Sequence, residues 1–313
     1  MLITGRNSRV GWGLTTTNVD AQDLYIEQIN PKNENQYRTE NGWEDFLAQE
    51  LVIKFAVSPM QSVVVGDVDG NIALATPGRL PVRKDANVVK GRAPVLGWMP
   101  EYEWERVIQS GQLPKIINPP SGAIATANAN FLPTDYPHHI TYDWAEHFRQ
   151  ARAEELVFGL NEKHDVEQSQ KIMADDFSQP LYRLMKIAEK AGLEGAGERA
   201  DVFRVLKQWD GYMNADRPEP LIMLAWFKHL HEAILQDDLG AEYKLFDRGR
   251  ITKILDILER GTARDWCDRI DTETKENCTV ILSRTFDSSL AELNELHGAD
   301  WKKLAIWQSS YRL

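Results

Sequence analysis

The spacing of apolar side chains divides the chain into two parts with different periodicity. From residue 1 to about residue 140, the chain consists of short runs such as "RVGWGLTT", "QDLYIEQIN", "QELVIKFAV" and "SVVVGDVDGNIALAT", with Pro and Gly throughout. Short runs rich in Val, Ile and other apolar residues between turn residues are typical of strands and loops. Asp69-Gly70 separates two apolar runs and predicts a hairpin turn. We therefore predict a strand-rich part over residues 1–140.

From residue 141 to residue 313, apolar side chains recur at spacings of three and four. The clearest runs are "YDWAEHFRQARAEELVFGL", "SQPLYRLMKIAEKAGL", "ADVFRVLKQWDGYM", "LIMLAWFKHLHEAILQDDLG" and "ITKILDILERGTARDWCDRI". This periodicity predicts amphipathic helices. Strands followed by helices favour an α+β fold over a doubly wound parallel sheet, in which the two alternate.

Composition excludes several classes of partner. The 313 residues, 42% of them hydrophobic, can bury the core of two modest domains or one large one. A net charge of −11, with basic residues interleaved among acidic ones, argues against nucleic-acid binding, which needs clustered Lys and Arg. No apolar run reaches about 18 residues, so we predict no membrane partner. Residues 1–30 show none of the features of a signal peptide.

The two cysteines, Cys267 and Cys278, are too few for a disulfide scaffold and have no zinc-type partners. They flank a polar break between two helical patterns. One disulfide in an oxidising compartment and two half-buried free thiols both fit this placement.

Two apparent ligand motifs lack the context that their chemistry requires. Residues 195–200, "GAGERA", match the dinucleotide fingerprint in letters, but they follow a helical pattern and not a strand. We therefore predict no organic cofactor. Residues 67–71, "DVDGN", begin like a calcium loop, but Ile72 and Gly78 stand where Gly and a bidentate Glu are required, so we predict a turn.

Two other stretches gather polar groups that could act together. "LTTTNVDAQD" places Asp20 and Asp23 in a short loop, where carboxylates and carbonyls are the oxygen ligands that Ca²⁺ takes, although exposed Asp pairs are commonly just solvated. "NPPSGAIATANAN", residues 118–130, carries Asn amides that could stabilise a developing negative charge in acyl transfer. An ordered loop without chemical function is the alternative, because Asn favours turns.

Read in order, several blocks resemble the β subunit of the penicillin acylase family of N-terminal nucleophile hydrolases. They are "GRNSRVGWGLTTTNVDAQDLYIEQI", "VVVGDVDGNIALATPGRLPVR", "APVLGWMPEYEW", "NPPSGAIATANANFLPTDYP", "FRQARAEEL" and "LKQWDGYM". The resemblance implies a truncated four-layer α-β-β-α sandwich with a mostly helical second half. It also implies hydrolysis of a linear amide in an acylated small molecule, by an N-terminal serine whose own α-amine serves as base.

The resemblance assigns roles to individual residues. Asn128 matches the family's oxyanion asparagine, and Thr16 falls where the family uses a backbone N–H for the same oxygen. Arg152 matches an arginine that orients the surroundings of the nucleophile, with Arg149 as a competing assignment.

The same resemblance implies a structural Ca²⁺ bound by Asp20, the carbonyl of Gln22, and Asp23. A further carboxylate that some members carry shortly after "DYP" is absent, because His-His-Ile occupies residues 138–140.

Departures from the family pattern shape the functional expectation. The family's nucleophilic serine would lie upstream of these residues, and a longer family stretch is shortened here around Phe55. We expect the chain to act with the family's α subunit and an upstream β-subunit segment, and to be inactive alone. A non-catalytic binding or interaction remnant of the fold is the alternative. Periplasmic or secreted maturation is expected if the whole precursor follows the family.

Overall fold

The computed structural model describes residues 4–21, 23–47, 61–159, 164–193, 195–246, 251–260, 265–298 and 300–304. Gln22, the region around Phe55 and the predicted strand "QELVIKFAV" lie outside the described residues. The chain forms two compact units, Met1–Lys163 and His164–Leu313. The change of periodicity near residue 140 therefore precedes the boundary between the units by about twenty residues.

The strands of the described residues all fall within the first unit. In chain order they are β1 (Gly5–Arg6), β2 (Val10–Thr16), β3 (Tyr25–Ile26), β4 (Ile29–Asn30), β5 (Asn33–Thr39), β6 (Gly42–Asp45), β7 (Gln61–Asp67), β8 (Ile72–Ala75), β9 (Pro81–Arg83), β10 (Val95–Leu96), β11 (Trp104–Val107) and β12 (Lys115–Ile117). The helices of the described residues are α1 (Phe148–Phe158), α2 (Val166–Met173), α3 (Gln179–Lys190), α4 (Gly197–Lys207), α5 (Pro218–Leu239), α6 (Ile251–Arg260) and α7 (Cys278–His297), with short 3₁₀ turns between some elements. The strands-then-helices prediction is confirmed for the described residues, and the chain is a mixed α and β protein.

The largest sheet of the first unit is antiparallel and runs β1-β2-β7-β8-β12. Smaller sheets are formed by β4-β5-β6, by β9 with β11, and by the parallel pair β3 and β10. Strand β2 pairs with β7 along its whole length, from Val10 opposite Asp67 to Thr16 opposite Gln61. This pairing fixes where β2 ends.

The predicted turn at residues 67–71 joins β7 to β8. One carboxylate oxygen of Asp67 accepts hydrogen bonds from the backbone N–H groups of Asp69 (3.0 Å) and Asn71 (2.8 Å). Gly70 has a φ of 90°, a conformation that suits glycine. Hydrogen bonding, chiefly from the Asn71 side chain, lowers the pKa of Asp67. The Asp67 carboxylate therefore stabilises the turn.

Helix α5 is central to the second unit. It begins with Pro218 in its first turn, where the missing N–H costs nothing, and it is buried on nearly all sides from Leu221 to Phe227. Helix α7 packs against it: the Trp226 and Phe286 rings lie 4.8 Å apart, and the Trp226 indole donates to the Thr285 hydroxyl at 3.1 Å. Burial on all sides explains why α5 reads as a nearly continuous apolar run.

Other predictions for the second unit can be judged locally. Cys267 and Cys278 form a disulfide that links the start of α7 to the preceding loop. Residues 195–200 lie at the start of α4 and follow the helix α3, so the context of a dinucleotide fingerprint is absent. Within the described part of the chain, no helix combines the length and apolar character that a bilayer crossing needs.

Candidate functional site: an oriented amide at the end of strand β2

The irregular segment between β12 and α1 carries the Asn-rich stretch and presents Asn128. Asn128 adopts a left-handed conformation with a φ of 66°, which asparagine tolerates better than most residues. Its flanking residues Ala127 and Ala129 are buried, and its carbonyl accepts a hydrogen bond from the Ala145 N–H at 3.1 Å. The backbone of Asn128 is therefore fixed by this hydrogen bond and by its buried neighbours, while its side chain is half-buried.

The side-chain amide of Asn128 joins two elements that are far apart in sequence. Its Nδ2 donates to the Thr16 carbonyl at 2.7 Å, and its Oδ1 accepts from Nη2 of Arg149 at 2.8 Å. Because an arginine can only donate, Oδ1 must face Arg149 and the NH₂ group must face Thr16. The NH₂ group has two hydrogens, so one remains for a further acceptor. The amide is thus oriented before any ligand arrives.

Thr16 is the last residue of β2. A strand residue directs its N–H and C=O to the same side, so the Thr16 N–H is expected on the edge that Asn128 approaches. Two hydroxyl contacts anchor this end of the strand: Thr15 to Thr126 at 3.2 Å, and the buried Thr17 to Ser62 at 2.8 Å. The structure therefore brings Asn128 and Thr16 together, as the assigned roles require, while those roles stay predictions.

Gln150 supports the same segment, and no motif in the sequence points to it. Its buried side chain, on α1, accepts from the Ala127 N–H at 2.7 Å and donates to the Ala125 carbonyl at 2.9 Å. It also donates to Glu154 at 2.7 Å. The Ala125–Ala127 segment is not part of a strand, so its backbone groups lack strand partners, and the Gln150 amide supplies those hydrogen bonds instead. The only sequence signal was a polar residue on the inward face of a helix.

The two candidate arginines lie one helical turn apart and do different things. Arg149 contacts Asn128 and also donates to the Ala127 carbonyl at 3.2 Å. Arg152 pairs with Glu155 at 2.9 Å along the same helix. The geometry therefore favours Arg149, the competing assignment, as the arginine that acts on the amide, and the role inferred for Arg152 stays a prediction.

The predicted calcium loop has a different arrangement from a metal site. The carboxylate of Asp23 receives Nε of Arg83 at 2.9 Å, Nη2 of Arg83 at 2.8 Å and the indole N–H of Trp104 at 2.7 Å. The carboxylate of Asp20 contacts His139 at 3.1 Å. Gln22 lies outside the described residues. Among the residues that the structure describes, no three His, Cys, Asp or Glu side chains are grouped to bind a metal. Asp20 and Asp23 as placed do not fit a Ca²⁺ ion, which needs six or more oxygens.

The pKa of His139 is set by burial and by the charged groups around this loop. Burial, the largest effect, lowers the pKa of His139, and the positive charges of Arg83 and Lys90 lower it further. The hydrogen bond to Asp20 acts in the opposite direction. The imidazole is therefore harder to protonate than a free histidine despite its carboxylate partner.

A family model described as penicillin amidase matches residues 1–58 and 48–311. The chain belongs to the penicillin amidase family. The two matched pieces meet within residues 48–58, the region in which the sequence indicated a shortened family stretch.

Individual relatives agree with this assignment. The chain is 32% identical over 154 residues to the penicillin acylase 2 proenzyme of Pseudomonas sp. (strain SE83), covering 49% of this chain and 19% of that protein. It is 23% identical over 259 residues to the acyl-homoserine lactone acylase QuiP of Pseudomonas syringae pv. syringae (strain B728a), covering 76% and 30%. It is 21% identical over 411 aligned positions to QuiP of Pseudomonas aeruginosa (strain PAO1), covering 98% and 48%. The chain therefore spans about half the length of these relatives or less.

The fold is also similar to a solved structure. A thermostable penicillin G acylase from Alcaligenes faecalis superposes with a TM-score of 0.69 at 16% identity, covering 96% of this chain and 70% of that one. At this identity the similarity shows the fold alone. It supports the mixed α and β architecture, and the four-layer sandwich stays an expectation.

Proposed function

We propose that this chain supplies the oxyanion-stabilising part of a hydrolase that cleaves the linear amide bond of acylated small molecules. In this proposal the Asn128 side chain and the Thr16 N–H donate hydrogen bonds to the oxygen of the tetrahedral intermediate. The observation that carries it is the Arg149–Asn128–Thr16 chain of hydrogen bonds, at 2.8 and 2.7 Å. Relatives named as acylases of penicillins and of acyl-homoserine lactones support the choice of substrate class.

The chemical role of this arrangement follows from charge. Attack on an amide carbonyl turns a neutral oxygen into an anion, and donors that are already oriented stabilise that anion without reorganising. Arg149 bonds Oδ1 and so draws electron density away from the NH₂ group, which strengthens it as a donor. Removal of one such donor typically lowers kcat by about 10²- to 10³-fold. Arg152 is proposed to act on the surroundings of the nucleophile.

The nucleophile in this proposal is an N-terminal serine of the mature protein, contributed by a segment beyond the present sequence. Its α-amine, with a pKa near 8, would accept the hydroxyl proton at neutral pH. The α subunit and the upstream β-subunit segment are proposed as the chain's partners. The Cys267–Cys278 disulfide favours maturation in an oxidising compartment such as the periplasm.

The test compares two asparagines of one segment in the chain expressed together with its proposed α subunit and upstream β-subunit segment. Asn128→Ala is expected to lower kcat for a chromogenic acyl-anilide by about 10²-fold or more while KM changes little. Asn130→Ala is the matched control, because Asn130 is exposed and its side chain accepts only from the nearby Leu132 N–H at 3.0 Å among the contacts described.

Three outcomes separate the alternatives. A selective loss of kcat in the Asn128 variant supports the proposal. Equal effects of both substitutions contradict the assignment of Asn128. If the assembled protein binds an acylated amide but does not hydrolyse it, the result favours the alternative that this chain is a non-catalytic binding remnant of the fold.

A further inference from the structure

A buried arginine occupies the place where a bound cation would stabilise the loop after β2. We propose that the guanidinium of Arg83 is the resident cation of the Asp20–Asp23 loop and closes that loop's oxygen set to divalent metal ions. The proposal concerns the architecture of the loop and is independent of the proposed function.

The contacts of Arg83 resemble those of a bridging ion. Its Nη2 lies 2.8 Å from Oδ1 of Asp23 and 2.8 Å from the carbonyl oxygen of Asp20. Its Nε lies 2.9 Å from Oδ2 of Asp23. One carboxylate and one backbone carbonyl are the oxygen types that Ca²⁺ selects, and here both are bound by N–H donors of fixed planar geometry.

Burial distinguishes this pair from an ordinary surface salt bridge. The side chains of Arg83 and Asp23 are 2% and 3% exposed. Strand pairing contributes, because β9 and β11 place Arg83 opposite Trp104, whose indole N–H donates to the second oxygen of Asp23 at 2.7 Å. Since both oxygens of Asp23 accept hydrogen bonds, from Arg83 and Trp104, the negative charge of Asp23 is already paired with a cation.

The backbone of Gly91 also lies close to the pair. A Cβ atom added at Gly91, whose φ is 86°, would lie 3.0 Å from Nη2 of Arg83 and 3.2 Å from Oδ1 of Asp23. The backbone of Gly91 therefore covers the pair directly. The guanidinium bonds to both the Asp23 carboxylate and the Asp20 carbonyl, so a metal ion could bind these oxygens only after the guanidinium is removed.

The pair holds a loop that leads to the candidate site. Asp20 follows Thr16 by four residues, and its N–H donates to the Ile140 carbonyl at 3.0 Å. Asn18 donates to the Asp143 carbonyl at 3.2 Å. The segment after Asn128 is thereby joined to the loop after Thr16. Arg83, bonded to Asp20 and Asp23, can hold the loop after Thr16 in place without depending on the calcium concentration outside the protein.

Terbium luminescence tests the proposal directly, because Tb³⁺ binds calcium-type oxygen sites and emits when a neighbouring tryptophan is excited. Trp104, in contact with Asp23, would be the sensitiser. The wild-type chain is expected to show no saturable Trp-sensitised emission, and its Tm should not change between Ca²⁺ and EDTA. Arg83→Ala is expected to lower the Tm. It is also expected to bind Tb³⁺ with a Kd of about 10⁻⁴ to 10⁻³ M, the range that weak calcium modules show.

Control variants isolate the site. Arg83→Ala combined with Asp23→Asn should abolish the emission, because the carboxylate is lost. Arg79→Ala, which removes an exposed arginine four residues earlier, should behave as wild type. Arg83→Gln keeps a stem with N–H donors but removes the charge, and it is measured alongside because the Ala variant could fold poorly.

The outcomes are decisive in both directions. Recovery of a cooperatively folded Arg83→Ala or Arg83→Gln protein by Ca²⁺, or Tb³⁺ emission that needs Asp23, supports the proposal. Saturable emission from the wild-type chain that Asp23→Asn abolishes overturns it. Failure of both Arg83 variants to bind Tb³⁺ overturns it as well.

Discussion

Gln150→Leu tests how the Asn128 segment is held in position. Leucine has nearly the volume of glutamine, so the substitution removes hydrogen bonds without opening a large cavity. It leaves the Ala127 N–H and the Ala125 carbonyl without the partners they have at 2.7 and 2.9 Å. Ala127 is buried, whereas Ala125 is partly accessible to water.

The expected magnitude follows from these two groups. A buried backbone group left unsatisfied costs about 1–3 kcal/mol. Water can replace the partner of the Ala125 carbonyl, so most of the cost comes from the Ala127 N–H. We expect a net local destabilisation of about 2 kcal/mol, which corresponds to roughly a 30-fold faster exchange of the Ala127 amide hydrogen through local opening.

Hydrogen exchange with mass spectrometry on a peptide covering residues 122–130 measures this directly. Glu154→Gln is the matched control, because it keeps an oxygen to accept from Nε2 of Gln150 and leaves both backbone bonds intact. Exchange should accelerate in Gln150→Leu and stay near wild type in Glu154→Gln. Unchanged protection of the Ala127 amide in Gln150→Leu would refute the view that this side chain holds the segment.

Two further predictions concern other parts of the chain. Replacing Cys267 and Cys278 by Ser should lower the free energy of unfolding of the second unit by about 3 kcal/mol, the loop-closure value for a separation of 11 residues, measured by urea titration with the first unit as internal reference. Acidification should destabilise the first unit, because the lowered pKa of His139 means that the unfolded chain takes up a proton at a higher pH than the folded chain does. The contribution of His139 to stability is full above the unfolded-state pKa of about 6.5 and is lost as the pH falls toward the folded-state pKa. His139→Gln should flatten this slope only in part, since burial lowers the pKa of His138 as well. A stability that rises on acidification, or a double Cys variant as stable as wild type, would contradict these predictions.

Local sequence patterns predicted the elements whose stability is local. The β7–β8 hairpin follows from Asp69-Gly70 between two apolar runs, and α5 follows from a long apolar segment that begins just after Pro218. Both have their turn or cap chemistry within a few residues. Helix α2 was not predicted; it is short, with eight residues, and it buries no side chain.

Element ends were less predictable because tertiary contacts compete for backbone groups. The helical pattern begins at residue 142, but α1 begins at Phe148. The Ala145 N–H donates to the Asn128 carbonyl, and a helix starting at 142 would have to give up that contact. The pattern over residues 251–270 predicts one helix, yet α6 is described only to Arg260 and Cys267 lies in a turn held by the disulfide.

Some residues of the candidate site could also be named from sequence, and others could not. Asn128 and Thr16 could be named from the blocks that surround them, although 112 positions separate them. The resemblance ranked Arg152 above Arg149, one helical turn away, whereas the structure shows Arg149 bonded to the Asn128 amide. Arg83 went unnoticed, since nothing near it in sequence indicates that it meets Asp20, 63 positions away.

The sequence by itself determined which part is strand-rich, which part is helical, and where amides and carboxylates are concentrated, because these depend on neighbours a few residues apart. Only the tertiary structure decided what each polar group binds. Whether the Asp23 carboxylate meets a metal or a guanidinium depends on distances of about 3 Å set by the pairing of β9 with β11. Electrostatic and hydrogen-bond energies change steeply over such distances, and residue spacing along the chain carries no information about them.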